Sequence, residues 1–439
     1  MFSLAWWIAE PLGAAQPNGP DVSLDPQGRL VYKADALGNR IPDFSHCGYA
    51  GGNRPIPEVP VVWVLEARSG DQTARIQAAL DDLAKRPADE RGWRGAILLM
   101  RGRYEIAGQL VIRSSGVALR GQGPGADGTV LLATGTDRRT LVRVAGKSDR
   151  TLRTNALWQV ADSYVPVGAT RCRLQDATGL APGQRVLLVR PSTRAWIERL
   201  AMQELGGGVG AGWKPGSRDI AWERTLLAVE GNQVTWDVPI TTALESEMGG
   251  GWLASLEWPG RLQQVGIENL RLESAYDPGR PWDEDHAWCG ITLESVEDAW
   301  VRQVTFRHFA GSAVAVFETA RRVTVQDCVS ADPVSEIGGH RRETFFTAGQ
   351  QTLFLRCYAE RGRHDFGVGH CAAGPNAFVQ CQAIEAHADS GALGSWASGV
   401  LFDNVRVDGG DWLWLSCRAT TGPLGGQRLA RSSGIAKHR

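Results

Sequence analysis

Six of the eight histidines lie between positions 286 and 387, interleaved with Arg341, Arg342, Glu343, Arg363, Asp365 and Asp389. That mixture suits one kind of chemistry. A histidine titrates near neutrality and serves as general base or acid. A guanidinium holds a carboxylate through two parallel N–H bonds. β-Elimination on a uronate-containing polysaccharide needs both groups. The uronate carboxylate must be neutralised, the acidified C5 proton removed, and a proton supplied to the leaving glycosidic oxygen. On this reading His340, Arg341, Arg363, His364, Asp365 and Asp389 are the catalytic candidates. His286, Arg342, Glu343, His370 and His387 are candidates for holding the substrate.

Glycoside hydrolysis is the nearest alternative. It needs two carboxylates about 5.5 Å or about 6.5–9.5 Å apart, depending on stereochemistry. Asp365 and Asp389 are the first pair to consider, with Asp327, Asp332 and Glu336 as further acids. A third reading is a non-catalytic glycan-binding or adhesive protein whose turns carry surface ion pairs, such as Arg363 with Asp365. All three readings name a polysaccharide or oligosaccharide as partner. Of the 17 tryptophans, Trp213, Trp258 and Trp282 adjoin Gly or Pro, which favours exposed faces for sugar stacking over core positions. The run Asp283-Glu-Asp-His286 offers oxygen ligands for Ca²⁺, although acid runs in loops are ordinarily just solvated. No other metal or cofactor is expected. The glycine runs 206–212 and 249–251 do not follow a phosphate-loop pattern, and there is no Gly-x-Ser-x-Gly elbow.

The elements that would position these residues are repeats. Ile267-Glu-Asn-Leu270, Val301-Arg-Gln-Val304, Val325-Gln-Asp-Cys328, Phe354-Leu-Arg-Cys357, Phe378-Val-Gln-Cys381 and Phe402-Asp-Asn-Val405 align with one another. Their starts are 34, 24, 29, 24 and 24 residues apart, which is a solenoid spacing. Each coil would lie about 4.8 Å above the last. Cys328, Cys357 and Cys381 then occupy a core ladder position as small hydrophobes rather than disulfide or metal partners. The polar residue before each ladder position (Asn269, Gln303, Asp327, Arg356, Gln380, Asn404) should face outward or form a ladder of turns. Counting back 14 residues from each strand start gives Ala287, Gly311, His340, His364 and Ala388. With its immediate neighbours, that column gathers His286, His340, Arg341, Arg363, His364, Asp365, His387 and Asp389 along one edge. A second column holds His308, Asp332, Arg361 and Glu385.

Residues 69–81 read as an amphipathic helix, capped by Asp71 or Thr73, with Ile76, Ala79, Leu80 and Leu83 on one face. Short strands follow at 95–100, 104–106, 109–113 and 117–120, separated by glycine turns. The helix Gly70-Asp-Gln-Thr-Ala-Arg-Ile-Gln-Ala-Ala79, the turn Arg101-Gly-Arg-Tyr104 and the rung closed by Gly121-Gln-Gly123 resemble the opening of the pectate-lyase-like superfamily. The proline usual in that turn is missing here. The resemblance covers residues 69–135 and implies a single-stranded right-handed parallel β-helix, but it says little about chemistry. Residues 186–405, with Arg190-Pro-Ser-Thr-Arg-Ala-Trp-Ile197, Phe306-Arg-His-Phe-Ala-Gly-Ser312 and Arg363-His-Asp-Phe366, resemble exported bacterial β-helix proteins of undefined activity. No catalytic residue carries over from them.

The expected class is therefore all-β: a parallel β-helix with an N-terminal capping helix and a β-rich insertion. Residues 1–20, apolar and then small, read as the remnant of an export signal, which places the protein in the periplasm or outside the cell. Residues 21–154 form the first coils and 155–250 the insertion, whose segments 165–174, 184–190 and 225–238 alternate like antiparallel strands. Residues 251–409 complete the coils. The Gly/Arg/Ser-rich tail, 410–439, shows no further rung and is expected to be disordered or altered. With 43% hydrophobic residues, 22% charged residues and a net charge of −1, no global field recruits nucleic acid or an anionic membrane. No apolar run reaches the roughly 18 residues of a membrane span.

Overall fold

The computed structural model describes residues 21–204, 212–393 and 396–409. Residues 1–20, expected to be an export-signal remnant, the tail from 410 and most of the glycine loop lie outside those residues. The described chain winds as a single-stranded right-handed parallel β-helix, each full coil touching three sheets in turn. The first sheet runs from Val61–Leu65 through Leu262–Ser274 and Val296–Arg307 to Ser398–Asp403. The second holds Gly102–Ile106, the C-terminal halves of those two long strands, Val329–Ala331, Tyr358–Glu360 and Gln382–Ile384. The third runs from Leu110–Ile112 and Thr140–Ala145 to Phe366–Gly369 and Gly391–Leu393.

The repeat aligned in the sequence is the register of the first sheet. Ile267, Val301, Val325, Phe354, Phe378 and Phe402 pair one above another through successive coils. The inward side chains form one continuous core. Within it Phe354, Phe378 and Phe402 stack face to face at 4.7 and 5.1 Å. Cys328, Cys357 and Cys381 are buried free thiols in the same core. Asn269, Gln303, Asp327, Arg356, Gln380 and Asn404 all adopt left-handed backbone, φ 51–57°. One such residue per coil turns the chain from the first sheet to the second. An L-residue pays about 1–2 kcal/mol for that conformation, and Asn and Asp tolerate it best.

Helix α1 (Thr73–Lys85) closes the first coil with Ile76, Leu80 and Leu83 buried. The Asp71 carboxylate accepts N–H bonds from Thr73 and Ala107, tying the helix start to the second sheet. An antiparallel six-stranded sheet, from Thr151–Gln159 to Trp252–Glu257, leaves the solenoid at a turn between the third and first sheets. It has its own core around Trp222 and Trp236. Where it leans on the coils, Glu223 and Arg261 of its base meet Glu297 and Arg321 of the first sheet, all buried. Burial opposes ionisation of Glu297, yet Arg321, Arg261, Arg322 and Arg185 hold it at about 2. An N-terminal strap covers the outer face of the first sheet. Its backbone N–H groups at Tyr49 and Ala50 donate to Thr324 Oγ1 and Asp298 Oδ1. Tyr49 and Trp93 pack edge-on against Trp300.

Candidate active site

With the first sheet covered, the chemistry gathers where the second sheet turns into the third. Five successive turns stack there: a long one at 275–288, a short one at 308–313, a long one at 332–344, then short ones at 361–365 and 385–390. Register in the third sheet comes from Ile291, Val314, Phe345 and Phe366 pairing in sequence, with Gly367 opposite Gly391. Stepping back from that ladder puts Trp288, Gly311, Arg342, Arg363 and His387 in one column. Cys289, Ser312, Glu343, His364 and Ala388 form the next. The backbone N–H groups of both Arg363 and His364 donate to the Arg342 carbonyl.

This corrects the column counted from the first-sheet repeat. His340 does not stack on His364; Glu343 does. The 332–344 turn is longer than its neighbours, so counting residues across it loses register, whereas the third-sheet ladder keeps it.

The two long turns meet over the short 308–313 turn. Glu284 accepts from Arg138 at 2.9 Å and from both Nε and Nη2 of Arg341, as well as from the Glu336 N–H at 3.3 Å. His286 is buried inside this bridge. Its Nε2 faces the carbonyls of Asp283 and Val334 at 3.1 and 3.0 Å, so Nε2 carries the proton. Its Nδ1 lies 2.9 Å from the Ser274 hydroxyl oxygen. With both nitrogens engaged, His286 is built into the wall rather than presented to a substrate. Arg341 likewise spans the bridge, and Trp288 lies near both guanidiniums of Arg138 and Arg341, 5.4 and 6.0 Å away. The acids once considered for Ca²⁺ face arginines. Asp283 and Asp285 pair with Arg280, and Glu284 with Arg138 and Arg341. Among the described residues no three His, Cys, Asp or Glu side chains converge as a metal site.

Two histidine–carboxylate pairs remain, one exposed at His340 and one largely buried at His364. His364 Nδ1 lies 2.6 Å from the Asp389 carbonyl and 3.4 Å from its Oδ1. A carbonyl can only accept, so Nδ1 holds a proton, and in the neutral ring Nε2 carries the lone pair. His340, with 80% of its side chain exposed, sits 3.1 Å by Nδ1 from Glu343 Oε1. Its ring lies 6.4 Å from that of His370, which packs edge-on over Phe346 on the outer face of the third sheet. Arg363 connects the two pairs. It adjoins His364 in the chain, and its Nη1 donates to the carbonyl of Gly339, next to His340. His387 is exposed at the foot of the first column.

Asp365 turns inward instead. It is fully buried, accepts from Thr344 Oγ1 at 2.7 Å, and leaves Oδ2 without a partner. Burial pushes its carboxyl up to about 7, against the opposing Thr344 bond. Gly362 makes room for it: a Cβ there would lie 1.8 Å from Asp365 Oδ1. So Asp365 makes no surface pair with Arg363, and the carboxylate pair Asp365/Asp389 does not face one space. The second counted column is a ladder of surface ions: Asp332–Arg361 at 3.1 Å and Arg361–Glu385 at 2.7 Å, with His308 against Tyr276 at its head.

Of the three tryptophans, Trp282 alone adjoins the site, 56% exposed and 6.0 Å from the Arg342 guanidinium. Trp213 stacks on Trp196 in the insertion at 5.7 Å. Trp258 donates Nε1–H to the Lys147 carbonyl, with Arg261 over its ring at 4.6 Å. The sequence reading missed Ser335, Thr344 and Phe346, none of which stands out by type or spacing.

No family model and no curated protein matches the sequence. Solved structures share its winding at low identity. The tailspike protein gp49 from Pseudomonas phage LKA1 is 13% identical, over 77% of this chain and 55% of its own, with TM-score 0.43. The chain thus spans little more than half of that tailspike. A polygalacturonase from Erwinia carotovora is 11% identical over 82% and 86%, TM-score 0.33. An alginate lyase from Paenibacillus is 8% identical over 80% and 99%, TM-score 0.31. The ladders of this chain stand without them, and those ladders make it a right-handed parallel β-helix.

Proposed function

We propose that the protein is a carbohydrate-active enzyme, a polysaccharide lyase that cleaves a uronate-containing glycan by β-elimination at the turn between the second and third sheets. The observation that carries this reading is the placement of Arg363 between two oriented histidines. Arg363 takes the uronate carboxylate, which acidifies C5–H. His364, held through Nδ1–H by Asp389, removes that proton with Nε2. The C–H electron pair becomes the C4–C5 double bond, and the C4–O bond breaks. His340, backed by Glu343, gives the leaving oxygen its proton. The inward turn of Asp365 favours this set over the carboxylate pair first considered for hydrolysis.

One observation favours a hydrolase as the second reading. Glu343 lies one coil above His364, and Asp389 lies one coil below it and one residue further along, their backbones about 10 Å apart by coil stacking. Side chains could bring that toward the roughly 6.5–9.5 Å of an inverting pair. The deciding experiment incubates the protein with uronate-rich and neutral polysaccharides while following ultraviolet absorbance of unsaturated uronide together with new reducing ends. Both signals rising on an acidic glycan supports the lyase. Reducing ends without absorbance moves the assignment to Glu343 and Asp389. Silence on every glycan leaves a binding protein and overturns both.

A further inference from the structure

We infer that Arg342, Trp282 and His387 form a subsite for an acidic sugar unit next to Arg363, with the sugar carboxylate on Arg342 and the ring on Trp282. This rests on the glycan reading above and names what that site would grip beyond the bond it cleaves.

Arg342 differs from the other buried arginines with neutral acceptors, Arg190 and Arg224, in that no carboxylate acts on it. It is only 6% exposed, yet all its hydrogen bonds go to neutral acceptors. Nε donates to Ser335 Oγ at 3.1 Å, Nη2 to the Ser335 carbonyl at 2.6 Å, and Nη1 to the Arg361 carbonyl at 3.3 Å. A guanidinium has five N–H groups, so one on each Nη is left over. The nearby acids are already committed: Glu284 to Arg138 and Arg341, Asp283 and Asp285 to Arg280, Asp332 and Glu385 to Arg361. Burial alone acts on Arg342, pushing its value down with no anion to oppose it. A buried cation without a counter-charge is costly, and a ligand anion that supplies one gains correspondingly.

What surrounds that cation fits a sugar. Trp282 lies 6.0 Å from the Arg342 guanidinium and keeps more than half of its surface open, which suits the apolar face of a pyranose. His387 stands one coil below Arg363 in the same column. Burial first, then Arg342 and Arg361, push its value down against Glu385, so it enters as a neutral imidazole able to bond hydroxyls. Two remaining N–H groups on a flat fork match the two oxygens of a carboxylate.

The test uses the full chain with three probes: trigalacturonate, its carboxyl-reduced counterpart and a sulfated neutral trisaccharide, followed by calorimetry and tryptophan fluorescence. The expected result is binding of trigalacturonate alone. Trp282→Ala should weaken it about tenfold. Arg342→Lys, which keeps the charge and loses the fork, should weaken it about tenfold or more, with a lowered melting transition because the Ser335 and Arg361 carbonyls lose donors. Trp282 is exposed, so its variant stays informative if the Arg342 variant misfolds. Equal affinity for the reduced trimer, unchanged affinity in Trp282→Ala, or no binding by folded protein would each overturn the inference. Preference for the sulfated probe would overturn the carboxylate assignment. The two proposals fail separately. Normal binding in Trp282→Ala with turnover lost in Arg363→Ala sinks the subsite and spares the lyase. Binding lost in Trp282→Ala on glycans that are never cleaved does the reverse.

Discussion

Two of the three corners of each coil obey opposite rules. From the first sheet to the second, the chain turns on one left-handed residue per coil, from Asn269 to Asn404, with no change in length. From the second sheet to the third, the turns range from the short 361–365 to the long 275–288 and 332–344. The first corner keeps the ladders in step and carries no chemistry: its Asp327 and Arg356 simply pair with each other at 2.6 Å. The second corner gathers the histidines, free arginine fork and open tryptophan. A corner whose length varies can do so because the strands on either side are already locked by their neighbours. Chemistry accumulates where length is free.

That contrast can be broken by experiment. The largest effect belongs to the variable corner. His364→Ala should lower turnover on the cleaved glycan by about 10²–10⁴-fold, far more than its loss of a buried, bonded ring lowers the melting temperature. Arg356→Ala, at the constant corner, should leave turnover alone. If the Arg356 variant lost activity as His364→Ala does, the division of labour would be wrong.

Asp365 sharpens the comparison through pH. Its carboxyl is raised from 3.8 to about 7 by burial. Between those values the folded state binds more protons than the unfolded state, so stability falls as pH rises through that window and levels off above about 7. Asp365→Asn should remove that slope and raise stability at neutral pH, by roughly 4 kcal/mol at most. Denaturant melts from about pH 4 to about pH 8 would show it. An unchanged slope in the variant would mean that Asp365 is not the group titrating.

The bridge between the long turns should matter less. Glu284→Gln leaves Arg138 and Arg341 without their carboxylate, a loss of about 1–3 kcal/mol for a partly buried pair. Proteolysis should then cut within 275–288 or 332–344 before it cuts the coils. Cleavage beginning elsewhere would show that the bridge does not hold those turns.

The smallest effect returns to the constant corner. Gln380→Gly relieves a left-handed φ of 54° and should stabilise by about 1 kcal/mol. A destabilised glycine variant would show that the Gln380 side chain, and not its backbone, holds that turn.

The sequence by itself determined the solenoid. Apolar residues at Ile267, Val301, Val325, Phe354, Phe378 and Phe402 recur because only inward positions of stacked strands can bury them, and a one-residue slip would expose the whole set. The polar residues beside the core thiols marked the constant corner for the same reason: their number per coil never varies. Helix α1 was legible from its apolar stripe. Tertiary structure alone decided the site. Counting residues carries no register across a turn of variable length, so the sequence put His340 where pairing of Phe345 with Phe366 puts Glu343. Residue type also says nothing about direction. His286 and Asp365 belong to the chemical set by name, yet one is locked between two carbonyls and the other is folded under Thr344. Arg342 was a candidate by residue type alone, and only its surroundings showed a buried guanidinium bonded to neutral acceptors. Burial, partner supply and ladder register arise only when coils from distant parts of the chain stack, and those three decided which of the candidate residues face the solvent.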